Sequence, residues 1–255
     1  MHDVWWIMAA LFGAGFVAGM FDSVVGGGGV VTLPALLWAG FPPHMALGTN
    51  KFAGTFASST STLAYVRSGH IEWRLIALMA PATFVGALLG ADSVLRVNQA
   101  YLKLIIFIVI VGIAVMTLLR RQMGHENQFA GVTRRTVAAA LPLAFGLGFY
   151  DGFIGPGTGS FLLFAFLSIF RFDFITAAGN GRALNFASNA AALLLFALRG
   201  KVAAVAGLPL AIGMLGGARL GSRFAIRRGA RLIRPLFVVV ALLLAVKTGI
   251  SLFAP

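Results

Sequence analysis

Two cations interrupt apolar stretches of the chain at matched places. Lys51 lies within "GTNKFAGTFASS" (48–59), and Arg182 lies within "AGNGRALNFASNA" (178–190). A cation inside an apolar segment costs about 2.5 to 3.5 kcal/mol on membrane-insertion scales, so such a residue is usually functional or paired. We expect both side chains to meet an anion or a carboxylate, with snorkelling to lipid headgroups as the alternative.

Two aspartates are available as countercharges. Asp22 lies shortly before the glycines of "GGGG" (26–29), and Asp151 lies shortly before "GPGTGS" (155–160). The sequence leaves three roles open for them: capping the next helix through its backbone N–H groups, neutralising a buried cation, or carrying a proton. If they pair with the cations, an arriving anion has to compete with a carboxylate, and the pair becomes a gate.

The glycine stretches themselves predict breaks in helices, because each glycine costs roughly 1 kcal/mol against alanine in a helix interior. A half-helix that begins inside a membrane presents unsatisfied N–H groups and a partial positive charge, which attract anions. We therefore predict two facing anion cradles, with tight turns or close helix packing as the alternative. We expect the Thr158 and Ser160 hydroxyls to add donors to the second cradle, and side-chain amides near the cations to complete the site. The predicted substrate site comprises Gly26, Gly27, Gly28, Gly29, Asn50, Lys51, Gly155, Gly157, Thr158, Gly159, Ser160, Asn180, Arg182 and Asn185, with Asp22 and Asp151 as coupling or gating residues.

Composition places these residues in a membrane. Of the 255 residues, 59% are hydrophobic and only 11% are charged, well below the quarter of charged residues usual in soluble domains. Two apolar segments, 29–40 and 158–170, would span only about 18 to 20 Å as helices, and both follow a glycine stretch. The predicted apolar segments are 4–20, 29–40, 46–66, 74–91, 100–119, 136–150, 158–170, 176–198, 203–220 and 235–253.

An internal repeat relates the two halves of the chain. Phe21–Asp22 matches Tyr150–Asp151 at an offset of 129, and "GALLGA" (86–91) matches "GARLGS" (217–222) at an offset of 131. Five crossings in each half require the second half to insert upside down. We therefore predict an all-α polytopic membrane protein of two inverted repeats, each with about five hydrophobic segments and one glycine-broken short helix, giving 8 to 10 transmembrane helices. The predicted divisions are a first repeat at 1–119, a polar basic linker at 120–135 and a second repeat at 136–255.

The net charge of +13 is spread between apolar segments, which favours a role in membrane topology over nucleic-acid binding. If all ten segments cross, both termini are outside, and the outer side carries only three loop cations, Arg96, Arg199 and Lys201. The inner side then carries Arg67, Arg74, Arg120, Arg121, Arg134, Arg135, Arg171, Arg223, Arg227, Arg228, Arg231 and Arg234. Whether the two short segments cross fully or re-enter stays open.

The motifs resemble a known family. "GGGGVVTLPALLWAGFPPHMALGTNK" in the first half, and "GFYDGFIGPGTGSF" with "AAGNGRALNFASN" in the second, are similar to the two repeats of the TauE/SafE sulfite exporter family, particularly its YfcA-like branch. The resemblance implies a multi-pass protein of the bacterial inner membrane that moves sulfite, an organosulfonate or a related sulfur anion. It places site roles on residues Gly26 to Gly29, Asn50, Lys51, Gly155, Gly157, Thr158, Asn180 and Arg182.

These observations lead to one functional hypothesis, a secondary transporter of a small oxyanion that works by alternating access. A passive anion channel, or a transporter of another small organic anion, is the alternative. We do not expect an enzyme, because the four histidines are dispersed and neither HExxH nor GxSxG occurs. The expected partners are a small anion and the lipid bilayer, with a proton as candidate coupling ion and a homodimer left open; no nucleic acid, cofactor or metal is expected.

Overall fold

The computed structural model describes residues 2–119 and 126–228, which form nine α-helices and no strands. The tenth predicted segment, 235–253, lies outside the described residues. The helices are α1 (His2–Val25), α2 (Gly29–Trp38), α3 (Pro43–Arg67), α4 (Trp73–Leu95), α5 (Gln99–Leu119), α6 (Arg134–Phe153), α7 (Thr158–Ser168), α8 (Phe174–Leu198) and α9 (Ala204–Arg228).

Most helix bounds lie within a few residues of the predicted segments, and α9 extends eight residues beyond the predicted end at 220. In the described part of the chain, four helices are long and apolar enough to cross a membrane: Trp5–Val25, α4, α6 and α8. α2 and α7 are apolar but short. The all-helical polytopic membrane fold is thus confirmed, while the division at 1–119, 120–135 and 136–255 stays a prediction.

Two helix pairs pack through glycines, and each pair joins one half of the chain to the other. In the pair α1–α9, a Cβ at Gly19 would overlap the carbonyl group of Met214; in α4–α6, a Cβ at Gly148 would overlap that of Thr83. The offset of 129 relates Gly19 to Gly148, and the offset of 131 relates Thr83 to Met214. The same contact is therefore made twice, at repeat-equivalent positions.

The contacts also establish the directions of the helices. α1, α3 and α9 run in one direction, and α4, α6 and α8 run in the other. The first helices of the two predicted repeats, α1 and α6, therefore begin at opposite ends of the bundle. In a parallel pair, the residue numbers of successive contacts rise along both helices. In the antiparallel pair α3–α8, they rise along one helix and fall along the other. These contacts are Gly15–Leu210 and Met20–Gly221 (α1–α9), Gly86–Phe145 and Gly90–Phe149 (α4–α6), Gly54–Asn189 and Tyr65–Gly179 (α3–α8), Thr49–Ala203 and Thr49–Gly207 with the cavity shared by Arg67 and Arg227 (α3–α9), and Glu72–Asn180 and Asp92–Arg199 (α4–α8).

Each short helix turns back towards the end at which the preceding long helix begins. After α2, Phe41 lies beside Ile7 of α1 in one cavity. After α7, the Arg171 carbonyl accepts a 2.8 Å hydrogen bond from the Gln128 N–H, just before α6. The two glycine breaks meet in the interior, where the backbone of residue 26 touches that of residue 159.

Candidate functional site

Two buried ion pairs occupy the centre of the bundle, and each joins the two halves of the chain. Lys51 Nζ lies 2.8 Å from Asp151 Oδ1, and Arg182 Nη1 lies 3.0 Å from Asp22 Oδ2. The four side chains are only 1% to 10% exposed. Such pairs are tolerated in a low-dielectric interior when opposite charges and hydrogen bonds offset the loss of water. With all four groups ionised, the formal charges sum to zero.

Asp22 also binds the beginning of α2. Its Oδ1 accepts hydrogen bonds from the backbone N–H groups of Gly27 at 3.2 Å and Gly28 at 3.1 Å, while Oδ2 faces Arg182. The carboxylate therefore neutralises a cation and satisfies two backbone amides of the glycine break that leads into α2. A helix N-terminus beside a guanidinium is a favourable environment for an oxyanion.

The second pair rests on side-chain amides. Lys51 Nζ donates to Asn189 Oδ1 at 3.2 Å, and Asp151 Oδ2 accepts a long 3.5 Å bond from Asn185 Nδ2. Asn185 Oδ1 in turn accepts from Arg182 Nη1 at 3.4 Å. Asn185 thus contacts both ion pairs and links them into one polar network.

The second glycine stretch makes space for the cations. A Cβ at Gly159 would overlap the Arg182 guanidinium and lie 2.6 Å from the Cα of Gly26. A Cβ at Gly155 would lie 2.7 Å from Lys51 Nζ, and its φ of +91° is a conformation that favours glycine. Small residues are needed here because a charged side chain and a second backbone occupy the space.

A cavity of about 20 Å³ lies between the ion pairs. It has room for about one water molecule, so a larger anion can enter only if these side chains move. Among the predicted site residues, the cavity is lined by Asp22, Gly27, Gly28, Gly29, Asn50, Lys51, Asp151, Gly155, Gly159 and Asn185.

Several predicted residues do not line this cavity. The expectation that Thr158 and Ser160 present hydroxyl donors differs from the observed geometry: Thr158 Oγ1 donates to the Gly155 carbonyl, and Ser160 Oγ donates to the carbonyls of residues 25 and 26. A hydroxyl has one proton, and here it stabilises the glycine breaks. Gly26 and Gly157 are also absent from the lining, Gly26 because it packs on Gly159.

Asn180 and Arg182 differ from the prediction in another way. The Asn180 carboxamide accepts the Glu72 N–H at 2.9 Å, which ties α8 to the beginning of α4 rather than to the cavity. Arg182 lies behind the cavity and contacts it through Asp22. These positions depend on how α8 packs against α1 and α4, which the local sequence does not report.

The cavity also includes three residues outside the predicted set, Gly54, Asn189 and Met214. The helical spacing of the sequence predicts Asn189 on one polar stripe with Asn185, one turn earlier, although Asn189 was not assigned to the substrate site. Asn50, which was predicted, accepts a hydrogen bond from Thr32 of α2. In the described residues, no group of three or more His, Asp or Glu side chains could hold a metal ion.

Discontinuous helices that meet at a buried polar site, inside a bundle of apolar helices, are the architecture of a membrane transporter. The comparisons with known proteins agree with this class. The family model described as "Sulfite exporter TauE/SafE" matches residues 11–248, and the chain belongs to this family. The resemblance predicted from the glycine motifs is therefore confirmed, and the protein is a membrane transporter.

Several curated relatives cover nearly the whole chain. It is 41% identical over 242 residues to "Probable membrane transporter protein ORF9" of Sinorhizobium sp, covering 94% of this chain and 92% of the relative. It is 37% identical over 243 residues to "Probable membrane transporter protein YfcA" of Escherichia coli (strain K12), covering 94% and 89%. A "Probable membrane transporter protein" of Haemophilus influenzae is 34% identical over 241 residues, with 94% of each chain covered. No solved structure matches the chain.

Proposed function

We propose that the protein is a secondary transporter of a small oxyanion, with sulfite or an organosulfonate as substrate, that works by alternating access. The observation that carries this proposal is the position of the Asp22 carboxylate. Two backbone N–H groups at the beginning of α2 and the Arg182 guanidinium bind an oxyanion that the chain itself supplies. Sulfite and a sulfonate group both offer anionic acceptor oxygens of this kind, so the substrate replaces Asp22 in this cradle.

The family supports the choice of a sulfur oxyanion. Its description names a sulfite exporter, and the buried cations Lys51 and Arg182 provide countercharge for an anion. The asymmetry of the site supports one substrate position rather than two. Only the first glycine stretch has amides that bind a carboxylate, because the second accommodates the cations instead.

Charge balance supports a proton as the coupling ion. The four buried charges sum to zero, and a monovalent anion would make the interior negative, which is costly in a low-dielectric environment. Protonation of Asp22 as it leaves Arg182 restores neutrality. We infer that one proton moves with each singly charged anion, and that Asp22→Asn uncouples transport from the pH gradient.

The small volume of the cavity supports a carrier over a channel. Both ion pairs border a space of about 20 Å³, so passage requires side chains to rearrange for each anion. Saturable flux with counterflow is the expected result. Currents far above carrier rates across planar bilayers would contradict it and favour a passive anion channel.

The positions of the exposed arginines support a bacterial inner-membrane orientation with both termini outside. Arg67 and Arg223 line one cavity at one end of the bundle, while Arg96 and Arg199 both pair with Asp92 at the other end. The first end carries more cations, so the positive-inside rule places it in the cytoplasm.

Uptake into proteoliposomes tests the transport proposal. Radiolabelled sulfite and a simple sulfonate are supplied to the full-length protein and to an Arg182→Ala variant that stays monodisperse in detergent. Loss of one charge-assisted contact predicts an affinity at least about tenfold weaker. Arg134→Gln is the matched control, because it removes an exposed arginine outside the site. Equal transport by Arg182→Ala and the parent would contradict the site, and no anion flux in the parent would contradict the function.

A further inference from the structure

A second cationic site lies at the end of the bundle, away from the ion pairs. A cavity of about 270 Å³ separates the last turns of α3 and α9. We call it the arginine groove and define it by Arg67, Arg219, Arg223 and Arg227, which line it together with the apolar side chains of Leu63 and Ile226. The three arginines of α9 recur every four residues and therefore share one helix face.

The described residues place no carboxylate in the lining of the arginine groove. None of its four arginines makes an ion pair in the part of the chain that the structure describes. The stretches 120–125 and 229–255 contain no aspartate or glutamate. Four cations along one groove repel one another unless an anion from outside joins them.

At the equivalent position in the first half of the chain, a carboxylate of the chain itself pairs with the arginines. The offset of 131 relates Asp92 to Arg223 and Arg96 to Arg227. Asp92 of α4 pairs with Arg96, just after that helix, and with Arg199 after α8, the latter at 3.3 Å. The second half carries an arginine where the first half carries this bridging carboxylate. The arginine groove therefore lacks the counter-anion that its equivalent contains.

We propose that the arginine groove binds the headgroup phosphate of an anionic phospholipid. The mixed lining favours a lipid over a free anion, because Leu63 and Ile226 offer apolar surface for the lipid beside the arginines. The groove also lies at helix ends, on the end of the bundle that is richer in cations, where basic pockets between membrane helices bind phosphate headgroups. This site is separate from the proposed substrate cradle.

Thermal unfolding of the full-length protein in detergent tests this assignment. Phosphatidylglycerol or cardiolipin is added at a fixed mole fraction, with phosphatidylcholine and glycerol 3-phosphate as separate arms. Binding at about 100 times Kd predicts a rise in Tm of about 4 °C or more with the anionic lipids. The other two arms are expected to leave Tm unchanged. An equal rise with phosphatidylcholine, or with glycerol 3-phosphate alone, would overturn the proposal.

Two variants localise the effect. Arg223→Gln with Arg227→Gln should weaken anionic-lipid binding roughly tenfold or more. Arg134→Gln with Arg135→Gln removes two exposed arginines at the same end and should not. An equal loss in both double variants would overturn the site.

Arg223→Asp keeps the test decisive if the glutamine variant folds poorly. It reproduces the Asp92 arrangement, since the new carboxylate lies four residues from both Arg219 and Arg227. We expect this variant to retain its Tm in pure detergent and to lose the response to anionic lipid. A lipid response equal to that of the parent would contradict the proposal.

Discussion

Asp22 and Asp151 hold equivalent positions in the two halves of the chain, yet they are supported differently. Asp22 binds a guanidinium and two backbone N–H groups at the beginning of α2. Asp151 binds an ammonium at 2.8 Å and a carboxamide at 3.5 Å. One carboxylate is thus supported in part by the backbone, and the other entirely by side chains.

This difference predicts different tasks for the two pairs. The Gly27 and Gly28 amides belong to the backbone and stay in place when side chains rotate, so we expect them to remain available to an oxyanion if the Asp22 carboxylate leaves. The Lys51–Asp151 pair has no such fixed component. We therefore expect the first pair to provide the binding site, and the second to hold the two halves together until an anion arrives.

Lys51→Met gives the largest expected loss of stability. Without the ammonium, Asp151 keeps one long bond to Asn185, and removing one member of a buried ion pair costs about 3 to 5 kcal/mol. Thermal unfolding in detergent measures this cost. Lys51→Met with Asp151→Asn is the control, and it should recover part of the lost Tm because no charge is left unpaired.

Arg182→Met is expected to destabilise less, by about 2 to 3 kcal/mol, because two backbone N–H groups continue to stabilise the Asp22 carboxylate. Unfolding of both single variants under the same conditions makes the comparison. A loss equal to or greater than that of Lys51→Met would refute the idea that backbone amides distinguish the two carboxylates.

Gly159→Ala perturbs the Asp22–Arg182 pair without removing a charge. The added methyl group overlaps the guanidinium and approaches the Gly26 backbone, so we expect overpacking to cost about 1 to 3 kcal/mol and anion binding to weaken. Isothermal titration with sulfite measures the affinity. Gly146→Ala is the matched control, because a Cβ there meets no atom within 4 Å. If both alanines behave alike, the close approach at Gly159 has no role.

Asn185→Ala gives the smallest effect, about 1 kcal/mol, because the two bonds that it removes are long. This variant is most informative in a double-mutant cycle of Lys51 and Arg182. If Asn185 couples the two ion pairs, the changes in unfolding free energy caused by altering Lys51 and Arg182 will be less additive in the protein with Asn185 than in the Asn185→Ala variant. Unchanged additivity would show that the two pairs respond independently.

Much of the fold and part of the site could be predicted from the sequence. Apolar length and hydropathy located the helices, and the repeat located the cations and aspartates. The partners could not be predicted, because whether Lys51 of α3 faces Asp22 or Asp151 depends on where α1 and α6 lie around α3. The hydrogen-bond partner of Ser160 could not be predicted either. The sequence does not distinguish a hydroxyl that donates to a nearby backbone carbonyl from one that is available to a ligand.

The sequence also contains a glycine pattern that predicts close helix packing. Glycines four residues apart occur in α1, α4, α6 and α9, a spacing typical of close contacts between membrane helices. The pairs are Gly15 and Gly19, Gly86 and Gly90, Gly148 and Gly152, and the series Gly213, Gly217 and Gly221. A search for this spacing would have selected the four helices that pack in the pairs α1–α9 and α4–α6.

The α1–α9 contact has a consequence for how the protein is made. α1 is synthesised before α9, and the helix surface that packs on Gly15 and Gly19 lies on α9, about 200 residues later. These two glycines therefore lack their native contact until α9 has been made and inserted. We expect the α1–α9 contact to form late in the insertion of the described helices.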